Sequence, residues 1–463
     1  MLWESPVYRF RISEDTDNEE SEDLKEIVID VTLSAPSFQE PSDNLKYVLK
    51  EIFKSSSLKK IDTVLEFGAA KLKNIPFILE QGKKVCAVEF RELTENPITK
   101  GNIKKCEKYG GNFQKLIFPN PFISDTRKFD LVLLANVLPV MPVFAERMFT
   151  LQLLYDKIKE KKYLLWIAQK EGSYKKIRET GNNNCGDGIW MGTNRRLKTF
   201  YKYHHVDELD EMMALYGLER IKIFGVGDDA RLYQKKDYDL FSGILTQEKI
   251  IQYIKSDESI KNPDSPKLKI VKRSIDIKPI IPNPKELSME SFYIERLREI
   301  EEGPDNAELY HRLVSNAIGR IFRGSLRNMT IKQDLDSGIK IIDTLFTNCA
   351  ENGFFKTLQS KVDCIYPIVE VKNFSDPKNP DLDQVNGRLN ANTGKFGILV
   401  CRSVSDEERV YRRTQTFLPD HLILFLTDND IIELLEYRRE GNLNEINDFM
   451  DDKLKKLLFK STK

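Results

Sequence analysis

Two short apolar segments carry the residue types that phosphodiester hydrolysis needs. Tyr366-Pro-Ile-Val-Glu370-Val-Lys372-Asn sets an acid and a lysine two residues apart, and Ile339-Lys-Ile-Ile-Asp343-Thr-Leu-Phe sets a second acid in a similar run. Side chains alternate faces along a strand, so Glu370 and Lys372 share one face. Carboxylates can hold Mg2+ (or Mn2+), which prefers octahedral oxygen coordination and keeps several waters. Such an ion activates a water and neutralises charge on a scissile phosphate. A lysine beside it orients or deprotonates that water. A Glu-x-Lys pair alone is more often a solvated pair on an exposed face, and here the flanks are apolar.

A second group of residues lies upstream. Val64-Leu-Glu66-Phe-Gly68-Ala-Ala-Lys ends one apolar run, and Val85-Cys-Ala-Val-Glu89 ends the next about twenty residues on. Tight strand-to-helix turns need small residues so that a ligand can approach backbone and helix N-terminus. Glu89 is placed to take two ribose hydroxyls. Phe129-Asp130-Leu-Val-Leu-Leu-Ala-Asn136 ends a further run at the same carboxyl edge, where open α/β sheets bind ligands.

The surrounding elements must hold these residues in place. At 463 residues the chain predicts two domains and a linker. Residues 1–44 form an acidic arm, in which 25–32 can add an edge strand. Residues 45–240 alternate helices with apolar runs near 63, 85, 116, 129 and 163, and 218–224 reads as an antiparallel edge. Residues 241–290 turn to Lys, Asp, Ser and Pro and read as a linker. Residues 291–463 form the second α/β domain, opened by helices near 286–302 and 305–322.

With these motifs in order, residues 305–437 resemble the Mrr-like branch of the PD-(D/E)xK, restriction-endonuclease-like superfamily. Asp343 matches the metal-binding Asp, and Glu370 and Lys372 match the ExK pair. The resemblance implies a further acid at Glu308. It also implies Gln384 near the metal, on Asp381-Leu-Asp-Gln384-Val-Asn-Gly-Arg388, with Arg388 facing DNA. Lys395 to Arg402 matches the next core strand, and Thr427 onward a closing turn and helix. The stretch from Thr347 to Cys364 departs from the pattern as a long excursion, with a short helix at 353–358. It leaves Asp336 as an alternative to Asp343. Asp336 precedes Ser-Gly, a turn signal, which favours Asp343 inside the strand.

Residues 45–235 resemble class I S-adenosylmethionine-dependent methyltransferases. Glu66 and Gly68 stand at the glycine-rich first motif, Glu89 at the ribose-binding acid, and Asn136 in the loop after the fourth strand. Ala70 and Leu72 replace the motif's second and third glycines. The Asn- or Asp-Pro-Pro-aromatic signature of DNA-amine enzymes is missing at Ala135-Asn136-Val-Leu-Pro139, and no Pro-Cys pair marks a cytosine enzyme. Gly181 to Arg196, Gly- and Asn-rich and then basic, reads as a loop or hairpin over the cofactor edge, with His204 and His205 structural or exposed.

Seventy-two Lys and Arg balance 72 Asp and Glu, so any basic surface is local. Six cysteines without CxxC spacing read as reduced thiols. No run reaches the roughly 18 apolar residues of a membrane span, and the N-terminus lacks the pattern of a signal peptide. The expected location is cytoplasmic, with no membrane partner.

The leading expectation, drawn from the resemblance, is a Mg2+-dependent DNA endonuclease coupled to an S-adenosylmethionine-binding domain, in prokaryotic restriction or antiviral defence. Its partner is DNA, with a homo-oligomer or defence proteins as further partners. Phosphates would be held by Arg388, Arg402, Arg412 and Arg413, a salt-sensitive contact without sequence information. Two alternatives stay open. One is a methyltransferase with a nucleic-acid-binding C-terminal domain. The other is a ligand sensor gating a nuclease.

Overall fold

The computed structural model describes residues 7–13, 24–34, 40–119, 121–170, 172, 184–185, 188–192, 197–237, 288–334, 341–390 and 394–459. The chain divides into two units, residues 1–284 and 285–463. The expected linker lies outside the described residues up to 287, and Ser288 already caps the first helix of the second unit.

In the N-terminal unit, strands β1 (Val7–Ser13) and β2 (Leu24–Asp30) pair as an antiparallel hairpin. The described part of the acidic arm is tied to the rest of the unit: the Lys198 N–H donates to the Val28 carbonyl, and the Asp30 N–H donates to the Lys198 carbonyl. Helix α1 (Asp43–Lys54) starts where the Ser42 hydroxyl accepts the Leu45 N–H, and it buries Leu45, Val48, Leu49 and Ile52. Full burial of each such side chain contributes roughly 1.5–3 kcal/mol.

The seven-stranded sheet is built from β3 (Thr63–Phe67), β4 (Lys84–Phe90), β5 (Phe113–Phe118), β6 (Phe129–Ala135), β7 (Ile158–Ala168), β11 (Leu218–Gly225) and β12 (Asp229–Lys235). Their order is β11-β12-β7-β6-β3-β4-β5. The first five run parallel, with neighbours in the doubly wound Rossmann-like arrangement. β12 enters antiparallel beside β7, and β11 pairs outside it. The connection reverses direction between β3 and β6, which places a ligand crevice at their carboxyl ends. Asp130 pins the other end of these strands: its Oδ2 accepts the N–H groups of Asp62 and Thr63 at 3.0 and 2.9 Å. A small sheet of β8 (Asn184–Cys185), β9 (Gly188–Met191) and β10 (Thr199–Tyr201) gives the expected hairpin.

The C-terminal unit opens with α-helices Met289–Glu299 and Ala307–Ile321. Its sheet has five strands, β13 (Leu326–Asp334), β14 (Ile341–Asn348), β15 (Ile368–Lys372), β16 (Phe396–Cys401) and β17 (Leu422–Thr427), in that spatial order. β13, β14 and β15 are antiparallel neighbours, whereas β15, β16 and β17 are parallel. The excursion between the two acids is filled by helix Gly353–Val362. Helices Asn379–Asn386, Glu407–Gln415, Asp428–Glu440 and Leu443–Phe459 complete an α/β unit. β16 is buried along its whole length, so it and its neighbours form a rigid platform for β15.

Candidate functional site

β14 and β15 pair with Thr344 opposite Val369. Continuing that antiparallel register sets Asp343 beside Glu370, and directly opposed residues share a face. The contact follows: Asp343 Oδ2 accepts the Val371 N–H at 3.2 Å. Glu370 is 1% exposed and meets cations on both oxygens. Lys372 Nζ lies 3.0 Å from Glu370 Oε1, and an Arg388 guanidinium nitrogen pairs with Oε2. Gln384, on helix Asn379–Asn386, accepts from Lys372 Nζ at 2.7 Å. Arg388 follows the end of that helix; burial pulls its pKa down, and the Asp343 charge opposes the shift. Asp343, Glu370, Lys372, Gln384 and Arg388 therefore converge, whereas Asp336 lies outside the described residues.

The other expected residues lie differently. Glu308 bonds Arg312 at 2.8 Å and pairs with Lys332, not with either central carboxylate. Against the effect of burial, those two cations hold it below the ordinary carboxylate range. Arg402 is committed to the interior. It lies 3.1 Å from Asp428 Oδ2, donates to the Ile300 carbonyl at 2.8 Å, and stacks over Tyr310. Arg413 pairs with Asp383, and Arg412 is exposed on helix Glu407–Gln415. Of the four expected phosphate contacts, only Arg388 stands at the two acids; Arg402 is corrected to a structural role because burial and the Asp428 charge hold it.

Sequence reading also passed over His311. Its Nε2 lies 2.9 Å from the Thr344 hydroxyl, which in turn lies 2.6 Å from the Ser315 hydroxyl. Burial lowers the His311 pKa, with the charges of Asp343 and Glu308 opposing. The signal was available: Glu308, His311 and Ser315 recur at i, i+3 and i+7, one helix face.

Among the described residues no group of three or more His, Cys, Asp or Glu side chains is arranged around a metal position. Asp343 and Glu370 offer two carboxylates. That donor set suits a hard divalent ion that fills its remaining positions with water or substrate oxygens.

In the N-terminal unit a cavity opens at the carboxyl ends of β3, β4 and β6, lined by Glu66, Gly68, Lys73, Glu89, Phe90 and Asn136 among others. The hairpin arm contributes Tyr8, and the segment after it Thr32 and Ser34. Tyr8 donates its hydroxyl to the buried Glu146. Gly68 has φ +67°, and a Cβ there would meet Val137 Cγ2 at 2.5 Å. Ala70 and Leu72, at the expected glycine positions, also hold left-handed φ values of 49° and 55°. Each of these non-glycine residues holds that conformation at a backbone cost.

Asn74 Nδ2 donates to Glu66 Oε1 at 2.5 Å, and Glu66 Oε2 is buried with no hydrogen-bond partner. Burial pushes Glu66 up to about 7, against Asn74 and the Lys73 charge. Glu89 accepts the Ala70 N–H on one oxygen and the Phe90 N–H, at 2.8 Å, on the other. Burial pushes it up to about 8 against those two amides, with Glu66 and Glu92 adding repulsion. Asn136 takes a left-handed φ of 57°, and its Oδ1 accepts the Gln169 N–H at 3.0 Å, joining the ends of β6 and β7. The orphaned Glu66 oxygen, the carboxylate at the end of β4 and the apolar Phe90 and Leu93 beside it fit a nucleoside carrying hydroxyls and a positive centre.

In the described part of the hairpin the aromatic face is not open for stacking. Trp190 is buried with Lys198 Nζ 5.3 Å from its ring centroid, and Asp187, Arg195 and Arg196 lie outside the described residues. His204 is buried and His205 exposed.

No protein-family model matches the chain, and no curated relative does. Among solved structures, it is similar to an S-adenosylmethionine-dependent methyltransferase of Methanosarcina mazei, at 14% identity and a TM-score of 0.32, over 38% of this chain and 94% of that one. The 1,6-didemethyltoxoflavin-N1-methyltransferase of Burkholderia thailandensis, with S-adenosylhomocysteine bound, shares 14% identity at a TM-score of 0.31, over 42% and 78%. The magnesium protoporphyrin IX methyltransferase of Synechocystis, also with S-adenosylhomocysteine, shares 12% at 0.31, over 42% and 82%. No helix among the described residues is long and apolar enough to cross a membrane.

Proposed function

We propose that the C-terminal unit is a restriction-endonuclease-like, metal-dependent DNA nuclease, and that the N-terminal unit binds S-adenosylmethionine or a close nucleoside relative. One observation carries the first half: Asp343, Glu370, Lys372 and Gln384 meet on one sheet face, with Glu370 buried and Lys372 tied to both Glu370 and Gln384. Asp343 and Glu370 would hold Mg2+ or Mn2+. When bound, the ion lowers the pKa of a coordinated water and offsets phosphate charge. Gln384 positions Lys372, whose ammonium orients the attacking water and offsets charge on the phosphate. Arg388 and the exposed Arg412 contribute phosphate contacts. A role in prokaryotic defence, with DNA as partner, is the setting that suits this pairing.

The test is cleavage of modified and unmodified DNA over Mg2+ and Mn2+, with and without S-adenosylmethionine. Cleavage that requires metal and changes with the nucleoside supports both halves. Cleavage of none of the substrates sinks the nuclease.

A second reading, methyl transfer by the N-terminal unit, is favoured by the unpartnered Glu66 oxygen at the switch-point cavity. It requires heat on titration with S-adenosylmethionine that Gly68→Arg abolishes, together with a methylated product. Binding without product leaves the unit a sensor that gates the nuclease.

A further inference from the structure

We infer that Arg388 is an exchangeable counter-ion. It neutralises Glu370 until a divalent ion claims that carboxylate, then turns to a nucleic-acid phosphate, so that metal and nucleic acid bind cooperatively. The inference rests on the nuclease reading and deepens it.

Charge balance drives the exchange. Asp343 and Glu370 supply two negative charges, and Lys372 and Arg388 supply two positive ones, so the cluster is neutral. Glu370 is 1% exposed, and a buried carboxylate left without a partner is costly. Its two oxygens are already divided, Oε1 to Lys372 and Oε2 to Arg388. A divalent ion that uses Glu370 shares its two oxygens with the resident cations and brings two further positive charges into their midst, which disfavours keeping both. Lys372 is anchored a second time by Gln384 at 2.7 Å and sits on the central strand. Arg388 lies beyond the end of its helix, on a turn rather than on the central strand. Arg388 is therefore the group displaced. Its planar fork pairs with phosphate as readily as with carboxylate. A nucleic-acid phosphate arriving at the metal restores the charge balance and takes up the released guanidinium. Each ligand thus favours the other, and by linkage the two effects are equal.

The experiment titrates the full-length protein with Mn2+, following free Mn2+ by electron paramagnetic resonance in the cold, with and without a short DNA duplex. In wild type the duplex tightens Mn2+ about tenfold. Arg388→Met and Arg388→Gln bind Mn2+ about tenfold tighter than wild type without DNA, and the duplex then adds less than about twofold. Arg388→Lys keeps a displaceable charge and retains the coupling. Melting curves establish that each variant is folded, and the two neutral variants duplicate the test should one of them fail. The exchange is overturned if folded neutral variants bind Mn2+ no tighter than wild type, or if the duplex tightens Mn2+ in them as it does in wild type. If wild type cleaves DNA and only the coupling is unaltered, the exchange fails alone. If wild type binds no Mn2+ with or without DNA, the nuclease reading fails with it.

Discussion

Asp343 accepts the backbone N–H of Val371 at 3.2 Å, and so is tied to the strand that carries Glu370 and Lys372. A side chain from β14 is thereby held to the backbone of β15, independent of the long excursion between them in sequence. The two acids are positioned by strand register and one hydrogen bond, and helix Gly353–Val362 lies in the excursion between them.

Lys372 and Gln384 act as a pair. Lys372→Ala is expected to lower cleavage at least about a hundredfold, a typical loss when one donor that stabilises developing charge is removed. Gln384→Ala, which removes one anchor of Lys372, loses less, and the double variant loses no more than Lys372→Ala alone. Initial rates of duplex cleavage check this; additive losses would show that Gln384 acts independently.

Arg402 and Arg412 separate structure from binding. Arg402→Ala leaves Asp428, which burial holds at about 6 despite Tyr310 and Arg402, without its charge partner. Removing one member of a buried pair costs about 3–5 kcal/mol, so the C-terminal unit's melting temperature falls several degrees or more. Arg412→Ala leaves melting unchanged and weakens DNA binding with a smaller salt slope. Denaturation curves and fluorescence anisotropy distinguish the two, and an unchanged melting profile for Arg402→Ala would count against its structural assignment.

Gly68 is fixed by sterics. Gly68→Ala drives a Cβ into Val137 and keeps a left-handed φ, so stability drops by about 1–3 kcal/mol and nucleoside binding is lost. Adding Val137→Ala relieves the clash but not the backbone strain, and recovers part of the stability. A double-mutant cycle from denaturant midpoints measures this, and strictly additive effects would contradict the contact.

The paired acids of the cavity make stability depend on pH. Glu66 and Glu89 have folded-state values of about 7 and 8, above the ordinary 4.5. The folded state therefore holds more protons than the unfolded one between those limits, and stability falls as pH rises from about 4.5 until both groups have ionised near 8. Glu89→Gln should flatten the fall in melting temperature between about pH 6 and about pH 8. A wild-type melting temperature that rises over the same span, with the same rise in Glu89→Gln, would refute the assignment.

Much of this was readable from residues alone, for a physical reason. β3, β4, β6, β16 and the second half of β7 from Tyr163 are buried on both faces over most of their length, so they appear as largely apolar runs. β12 was hidden because Arg231, Gln234 and Lys235 look solvated; yet Arg231 is 1% exposed, lies over Trp166 and pairs with Asp229. That strand lies between β7 and residues 218–224, which form the antiparallel edge. Glu370 and Lys372 were legible from their spacing on one strand. The Arg388 ion pair was not, because it joins a strand residue to one eighteen positions later, just past the end of a helix, a contact that period and propensity do not encode. Glu89 was legible as a strand-end acid, but its capture of the Ala70 amide depends on how a loop without the expected glycines folds back.

The most direct measurement of the central claim is cleavage of a DNA duplex by the full-length protein in Mg2+ or Mn2+, beside Lys372→Ala and a chelator control. The account predicts cleavage by wild type that chelation stops and that Lys372→Ala reduces by at least about a hundredfold. Absence of cleavage across both metals and across modified and unmodified DNA, or a Lys372→Ala protein as active as wild type, would contradict it.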